Sequence, residues 1–310
     1  GEIAKNIAAA SENGGGYLTL SDLQGYRVLE RKPLTFQHGD YTVLTNPAPS
    51  AGGSLIAFLL KMMEKLDAKS QDFGSEKYVE TMAFIMQQTN IARAEHLNEM
   101  LHSETGSDSF FSSGMIEKYG RSNLMGNTTH VSTIDNEGNA ASVTTTYGEG
   151  CGYVIPGTNI MMNNMLGEED LNPFGFHNWQ PDTRLSSMMS PTIVLKNGKP
   201  VMALGSGGAN RIRTAIAQVL SNSLDFGMTP EAAVEAPRMH LEHGELNMEA
   251  GLSEIDNSAS LSPFKLNAWD GKSIFFGGVH LVGRDDSNQL FGVGDSRRNG
   301  SVEATNLDGE

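Results

Sequence analysis

Residues 128–146, TTHVSTIDNEGNAASVTTT, constrain the fold more than any other stretch. Two alternating runs flank Asn136-Glu137-Gly138, and a three-residue loop of this kind places its glycine in a left-handed conformation. Asp135 then faces Asn139, and counting outward by pairs places Thr128 opposite Thr146. A one-residue shift in the loop would destroy that pairing. Directly opposed residues have Cβ atoms about 4.5–5.5 Å apart, so the two hydroxyls can share a hydrogen bond at the open end of the hairpin. Thr is also β-branched and favoured in strands. The clustering of Thr144, Thr145 and Thr146 is therefore explained by propensity as well as by chemistry.

The remaining sequence bounds the class. The 310 residues suffice for one large or two smaller domains, and 38% hydrophobic with 19% charged residues is a globular composition. A net charge of −15 argues against nucleic acid or an anionic membrane as partner. No run approaches the roughly 18 apolar residues of a membrane span. The single cysteine, Cys151, rules out an internal disulfide and reads as a small, half-buried residue. His240 and His243 have a spacing that can bind metal, but no further ligand cluster supports it. The chain opens inside a helical pattern, without initiator Met or leader, so an N-terminal part is expected to be missing and the compartment is not legible.

Ile3, Ile7 and Ala10 form a short helical face ended by Gly14–Gly16, and Ser21 carries an N-cap signal. Alternation predicts strands in YRVLERKPLTF and YTVLTNP. The Pro-rich loop NPAPSAGG leads into the helix SLIAFLLKMMEKLD, and 75–101 reads as one long helix. NIMMNNML reads as a strand. SPTIVLKNGKPVMALGSGG reads as a hairpin turned at Asn197-Gly198. Helices follow at RIRTAIAQVLSNSLDFG and at Thr229-Pro230, then strands in SIFFGGVHLVG and QLFGVGD. Strands grouped with helices on their faces point to a layered α+β fold.

A Thr hydroxyl needs a base, and one solution is the α-amino group of the same residue once Thr begins a chain. That amine has a pKa near 7.7–8.0. Cleavage between Asn127 and Thr128 would create it. GSGGAN at 205–210 joins a strand to a helix and reads as an anion cradle; the hairpin before it argues against a dinucleotide site. Ser186 and Ser187 read as an ordinary turn, and GEED at 167–170 as a solvated charge run or an amine site.

Together, ERKPL, NPAPSAGG, NTTHVSTID, Asn163-Asn164, LSSMMSPTIV, GSGGANRI and EAPRMH resemble, in order, the γ-glutamyltransferase (γ-glutamyl transpeptidase) family of the N-terminal nucleophile hydrolase superfamily. The resemblance implies a four-layer αββα sandwich, here lacking its N-terminal part. It places residues 1–127 in the large-subunit region and 128–310 in the small catalytic subunit, together one structural domain. It implies self-cleavage at Asn127-Thr128 and a large/small heterodimer afterwards. Thr128 becomes the nucleophile and Thr146 its hydrogen-bond partner. Ser186 and Ser187 hold the donor α-carboxylate. Gly208 and Ala209, with Gly207 adjacent, supply the oxyanion hole, and Glu168 grips the donor α-amino group. The implied reaction is transfer or hydrolysis of γ-glutamyl amides with an amine or water acceptor, without metal or organic cofactor, in a periplasmic or secreted setting.

The sequence also departs from the pattern. Gly148 stands where the family has a substrate-contacting Asn, and Glu149 is a candidate to take over that contact. The resemblance places a carboxylate-binding Arg in a region that would precede residue 1. The chain is therefore expected to be catalytically incomplete unless Arg184 or Arg211 substitutes. The alternatives are a related acylase, of cephalosporin or polyglutamate type, and an inactive truncated fragment.

Overall fold

The structure is a computed structural model and describes residues 1–102, 128–168, 171–172, 175–178, 182–252 and 259–305. Its centre is an antiparallel six-stranded sheet in the order β1 (Leu34–His38), β2 (Tyr41–Thr45), β7 (Thr192–Lys196), β8 (Lys199–Gly207), β12 (Gly278–Arg284) and β13 (Leu290–Val293). Strands from both sides of Thr128 thus share one ladder.

Side chains alternate across a strand, and β8 shows why this sheet has two different neighbours. Met202 and Leu204 face a core with Val194, Val279 and Leu281, packed under α3 (Ala51–Lys65), α4 (Glu76–His102) and α5 (Arg211–Leu224). Leu55, Ile56, Met82, Ile216 and Val219 are the buried faces of those helices. On the alternate positions of β8 stand Ala203, Gly205 and Gly207, small residues that admit a second layer. That layer is the hairpin β3 (Thr128–Ile134) and β4 (Ala140–Thr146). The His130 ring lies where a Cβ on Gly205 would be, at 2.3 Å, and the Ser142 hydroxyl bonds the Leu204 carbonyl and the Thr192 amide. The hairpin's outward residues, Thr129, Val131, Thr133, Ala141, Val143 and Thr145, are exposed and uncharged.

Several expectations are corrected. The helix expected from Ser54 begins at Ala51, because Gly52 and Gly53 pack too closely for any side chain: a Cβ would lie 2.3 Å from the Met188 carbonyl and 2.2 Å from that of Asn46. Helix α2 (Leu20–Gly25) is capped by Thr19 rather than Ser21, since Thr19 and Asp22 bond each other's backbone in a capping box. Residues 26–33 form no strand; Pro33, which offers no N–H, stands at their end and they lie exposed. The run NIMMNNML keeps only β6 (Ile160–Met161), paired with β5 (Val154–Ile155), before Asn163 and Asn164 turn the chain. Cys151 is exposed rather than half-buried.

A three-stranded sheet was not anticipated: β9 (Met239–Glu242), β10 (Glu245–Glu249) and β11 (Lys265–Trp269), with β10 and β11 parallel. Ahead of β9 lies α6 (Pro230–Glu235), capped by Thr229 as expected. Arg238, in the EAPRMH run, is fully buried and pairs with Asp295 at 2.6 Å. Among the described residues no helix is long and apolar enough to cross a membrane.

Candidate active site

The hairpin register is the one the loop dictates. Ile134 faces Ala140, Asp135 N–H bonds the Asn139 carbonyl, Gly138 has a φ of 92°, and Thr128 faces Thr146. The two hydroxyl oxygens are 3.0 Å apart. Gly148, just past β4, donates its N–H to Thr146 Oγ1 at 2.9 Å. A backbone amide thus fixes Thr146, and Thr146 fixes Thr128. Asn127 lies outside the described residues.

Beneath Thr128 the chain passes Gly207, where a Cβ would sit 2.5 Å from the Thr128 carbonyl oxygen. The strand then leaves the sheet through Gly208 (φ 129°) and Ala209 (φ 49°) into α5. The left-handed Ala209 is uncommon for a residue with a side chain. This is a helix N-terminus, a place that favours negative charge. A buried polar group holds it from behind. Asn210 accepts from Arg93, and Arg213 donates to Asn90 at 2.6 Å and to Glu242 at 3.3 Å. Burial opposes ionisation of Glu242, but Arg213, His240 and Arg93 outweigh it and hold the carboxyl well below its usual range. No sequence signal pairs these residues, which meet only through α4, α5 and β9. His240 is taken up by the same group, bonding Thr214 and Glu242. Among the described residues no cluster of metal-type ligands forms.

Thr128, Thr146, Gly148, Glu168, Ser187 and Ala209 line one small cleft, floored by Met165, Leu171, Met188, Met189 and Ile212. Of the expected residues, Ser187 reaches this cleft while Ser186 is buried outside its lining. Ser187 is placed by its own carbonyl, which accepts from Ala51 N–H and Ser50 Oγ. Of the expected oxyanion-hole residues only Ala209 lines the cleft; Gly207, Gly208 and Glu149 are not among its lining residues. Neither Arg184 nor Arg211 lines it: Arg184 bonds the Arg27 carbonyl and stacks on Tyr26, and Arg211 bonds the Phe275 carbonyl and lies over that ring. Glu168 is only 6% exposed, its loop pinned by Asn172, whose amide donates to the carbonyls of Leu166 and Glu168.

His130, two residues along β3, bonds Thr144 and Ser132 through its two ring nitrogens. Burial, with His280 nearby, pushes its pKa down to about 4, so the ring is neutral at physiological pH.

Known proteins resemble this chain in sequence and in fold. The Gamma-glutamyltranspeptidase family matches residues 1–305. The Glutathione hydrolase proenzyme of Escherichia coli is 32% identical, covering 82% of this chain and 49% of its own length. The Acylase ACY 1 proenzyme of a Pseudomonas species is 30% identical over the same shares. The crystal structure of a cephalosporin acylase from Bacillus halodurans superposes with a TM-score of 0.70 at 23% identity, covering 99% of this chain and 59% of that one, which shows a shared fold. The chain thus spans about half the length of the curated relatives it matches. A family match that runs from residue 1 to residue 305, together with 32% identity to the Escherichia coli relative over most of the chain, shows that the chain belongs to the gamma-glutamyltranspeptidase family.

Proposed function

We propose that this chain carries the catalytic hairpin of a γ-glutamyl hydrolase or transferase that works through an acyl-enzyme on Thr128. The observation that carries this reading is the chain of hydrogen bonds from Gly148 N–H to Thr146 Oγ1 to Thr128 Oγ1. It holds one hydroxyl in one place at the head of a strand.

Self-cleavage comes first. Thr128 Oγ attacks the Asn127 carbonyl carbon, the C–N bond breaks as the acyl group passes to oxygen, and water hydrolyses the ester. Thr128 is left with a free α-amine, and residues 1–127 and 128–310 become parts of a large and a small subunit that stay together as a heterodimer. In turnover that amine takes the Oγ proton while Oγ bonds the γ-carbonyl carbon of the donor. The carbonyl oxygen becomes an oxyanion beside the Gly208 and Ala209 amides, at a helix N-terminus. Collapse expels the leaving amine, which recovers the proton. Water or an acceptor amine then repeats the attack and releases the glutamyl group. Glu168 is the group in the cleft suited to a donor ammonium, and Ser187 to its carboxylate.

A related acylase is the second reading, favoured by the apolar floor of Met165, Leu171, Met188 and Met189. Hydrolysis of γ-glutamyl anilide against aliphatic acyl anilides by the full-length protein separates the two. Self-cleavage is tested by intact mass. The mature protein is expected as two pieces meeting at Asn127-Thr128, and Thr128→Ala as one. Cleavage of that variant at the same bond would assign it to an outside protease.

A further inference from the structure

Gly148 and Glu168 are far apart in sequence but compete for one volume. Gly148 is buried with a φ of +63°, and a Cβ built on it would lie 1.9 Å from Glu168 Oε1 and 3.1 Å from Glu168 Cδ. No side chain can stand at 148 while the carboxylate holds its place. Gly148 is also the residue whose N–H anchors Thr146. The bare backbone therefore does two things: it fixes the hydroxyl pair, and it lets a carboxylate enter the cleft beside it. Glu168 carries the one charged side chain among the described residues lining that cleft.

Resting on the reading above, we propose that Gly148 is a positioning residue that determines donor specificity through Glu168. The two form a matched pair, in which the absent side chain at 148 sets the carboxylate where it meets the donor's ammonium group. A side chain at 148 would drive the carboxylate out. An aspartate at 168 would withdraw it by one methylene and make room for such a side chain. The pair thus selects donors that carry a cationic amine over uncharged acyl groups of the same length.

The test is a double-mutant cycle in the full-length protein: Gly148→Asn, Glu168→Asp and the two combined. Asn is chosen because it tolerates the left-handed region better than other side chains; the strain that remains at a φ of +63° is common to Gly148→Asn and the double variant, so recovery in the double variant reads the crowding. Each protein is assayed on γ-glutamyl anilide and on glutaryl anilide, which lacks the amino group. The wild type is expected to favour the amine-bearing donor. Gly148→Asn should lose that preference by 10-fold or more, mainly in KM, and the double variant should recover to within a few-fold of wild type. Losses that multiply without recovery, or an unchanged Gly148→Asn preference, would overturn the pairing.

If the wild type hydrolyses neither anilide, the functional reading fails, and the pairing is then decided by thermal unfolding. There Gly148→Asn should lower the midpoint and Glu168→Asp should restore part of it; additive shifts would overturn the pairing. If Gly148→Asn does not fold, recovery of soluble protein in the double variant supports the pair, and equal insolubility counts against it.

Discussion

The cleft has two walls of different construction. On one, Thr128 and Thr146 project from paired strands, and their separation follows from a ladder that runs unbroken to the loop at Asn136–Gly138. On the other, Glu168 and Met165 come from a loop around a single 3-10 turn, Met165–Gly167, held by backbone bonds and by Asn172. The strand wall is specified by period and register. The loop wall is specified by which side chains fit beside one another, and Gly148 joins the two walls: its N–H anchors Thr146 while its missing side chain leaves room for the Glu168 carboxylate. If the proposed roles hold, changes on the strand wall should act on the chemical step and changes on the loop wall on substrate recognition.

The strand wall should be the more fragile of the two. The largest effect is expected at Gly207, where a Cβ would lie 2.5 Å from the Thr128 carbonyl oxygen. Gly207→Val must push the nucleophile's strand away from the oxyanion loop. Turnover and self-cleavage should both fall by about 1000-fold or more, on the scale of losing a preorganised donor. Retention of either process, followed by the rate of fragment appearance, would show that the hairpin is not held by that contact.

Thr146→Val comes next. It keeps the shape of the side chain and removes the bond between the hydroxyls. A typical hydrogen bond contributes about 0.5–1.5 kcal/mol to stability, and in a reacting position the rate loss should reach about 10-fold to 1000-fold. The loss should fall on kcat, whereas changes on the loop wall should fall on KM. A KM effect at Thr146 would erase the distinction between the walls.

Beneath the strand wall a pH dependence of stability is expected, with no effect on turnover at neutral pH. In the unfolded chain His130 titrates near 6.5, while in the fold burial and His280 hold it at about 4. The unfolded state therefore binds more protons between those values. Its contribution is complete above pH 6.5 and is lost as pH falls toward 4, on the order of 3 kcal/mol in all. His130→Gln should flatten that part of the stability profile, measured as urea midpoints at pH 7 and pH 4.5. A wild-type midpoint that rises on acidification relative to the variant would contradict the burial of a neutral ring.

Legibility in the sequence divides along the same line. The Thr128–Thr146 pairing was readable because strand period and a short loop leave little freedom, and the strand–loop–helix passage at Gly207–Ala209 because glycines cluster where the chain changes type. Features set by distant neighbours were not readable. The start of α3 at Ala51 depends on the backbone at Asn46 and Met188, which nothing local to NPAPSAGG announces. The parallel pairing of β10 with β11 joins two short segments, ELNME and KLNAW, that no hairpin turn connects. The choice of Ser187 over Ser186 follows from a bridge to Ser50, and the exclusion of Glu149 from the turn after β4.

The central claim is that Thr128 itself carries the acyl group. Full-length enzyme mixed with γ-glutamyl anilide, quenched within one turnover and mapped by peptide mass, should bear one glutamyl group on the peptide that begins at Thr128. A glutamyl group on any other residue, such as Ser187 or Cys151, or full turnover by Thr128→Ala, would contradict it.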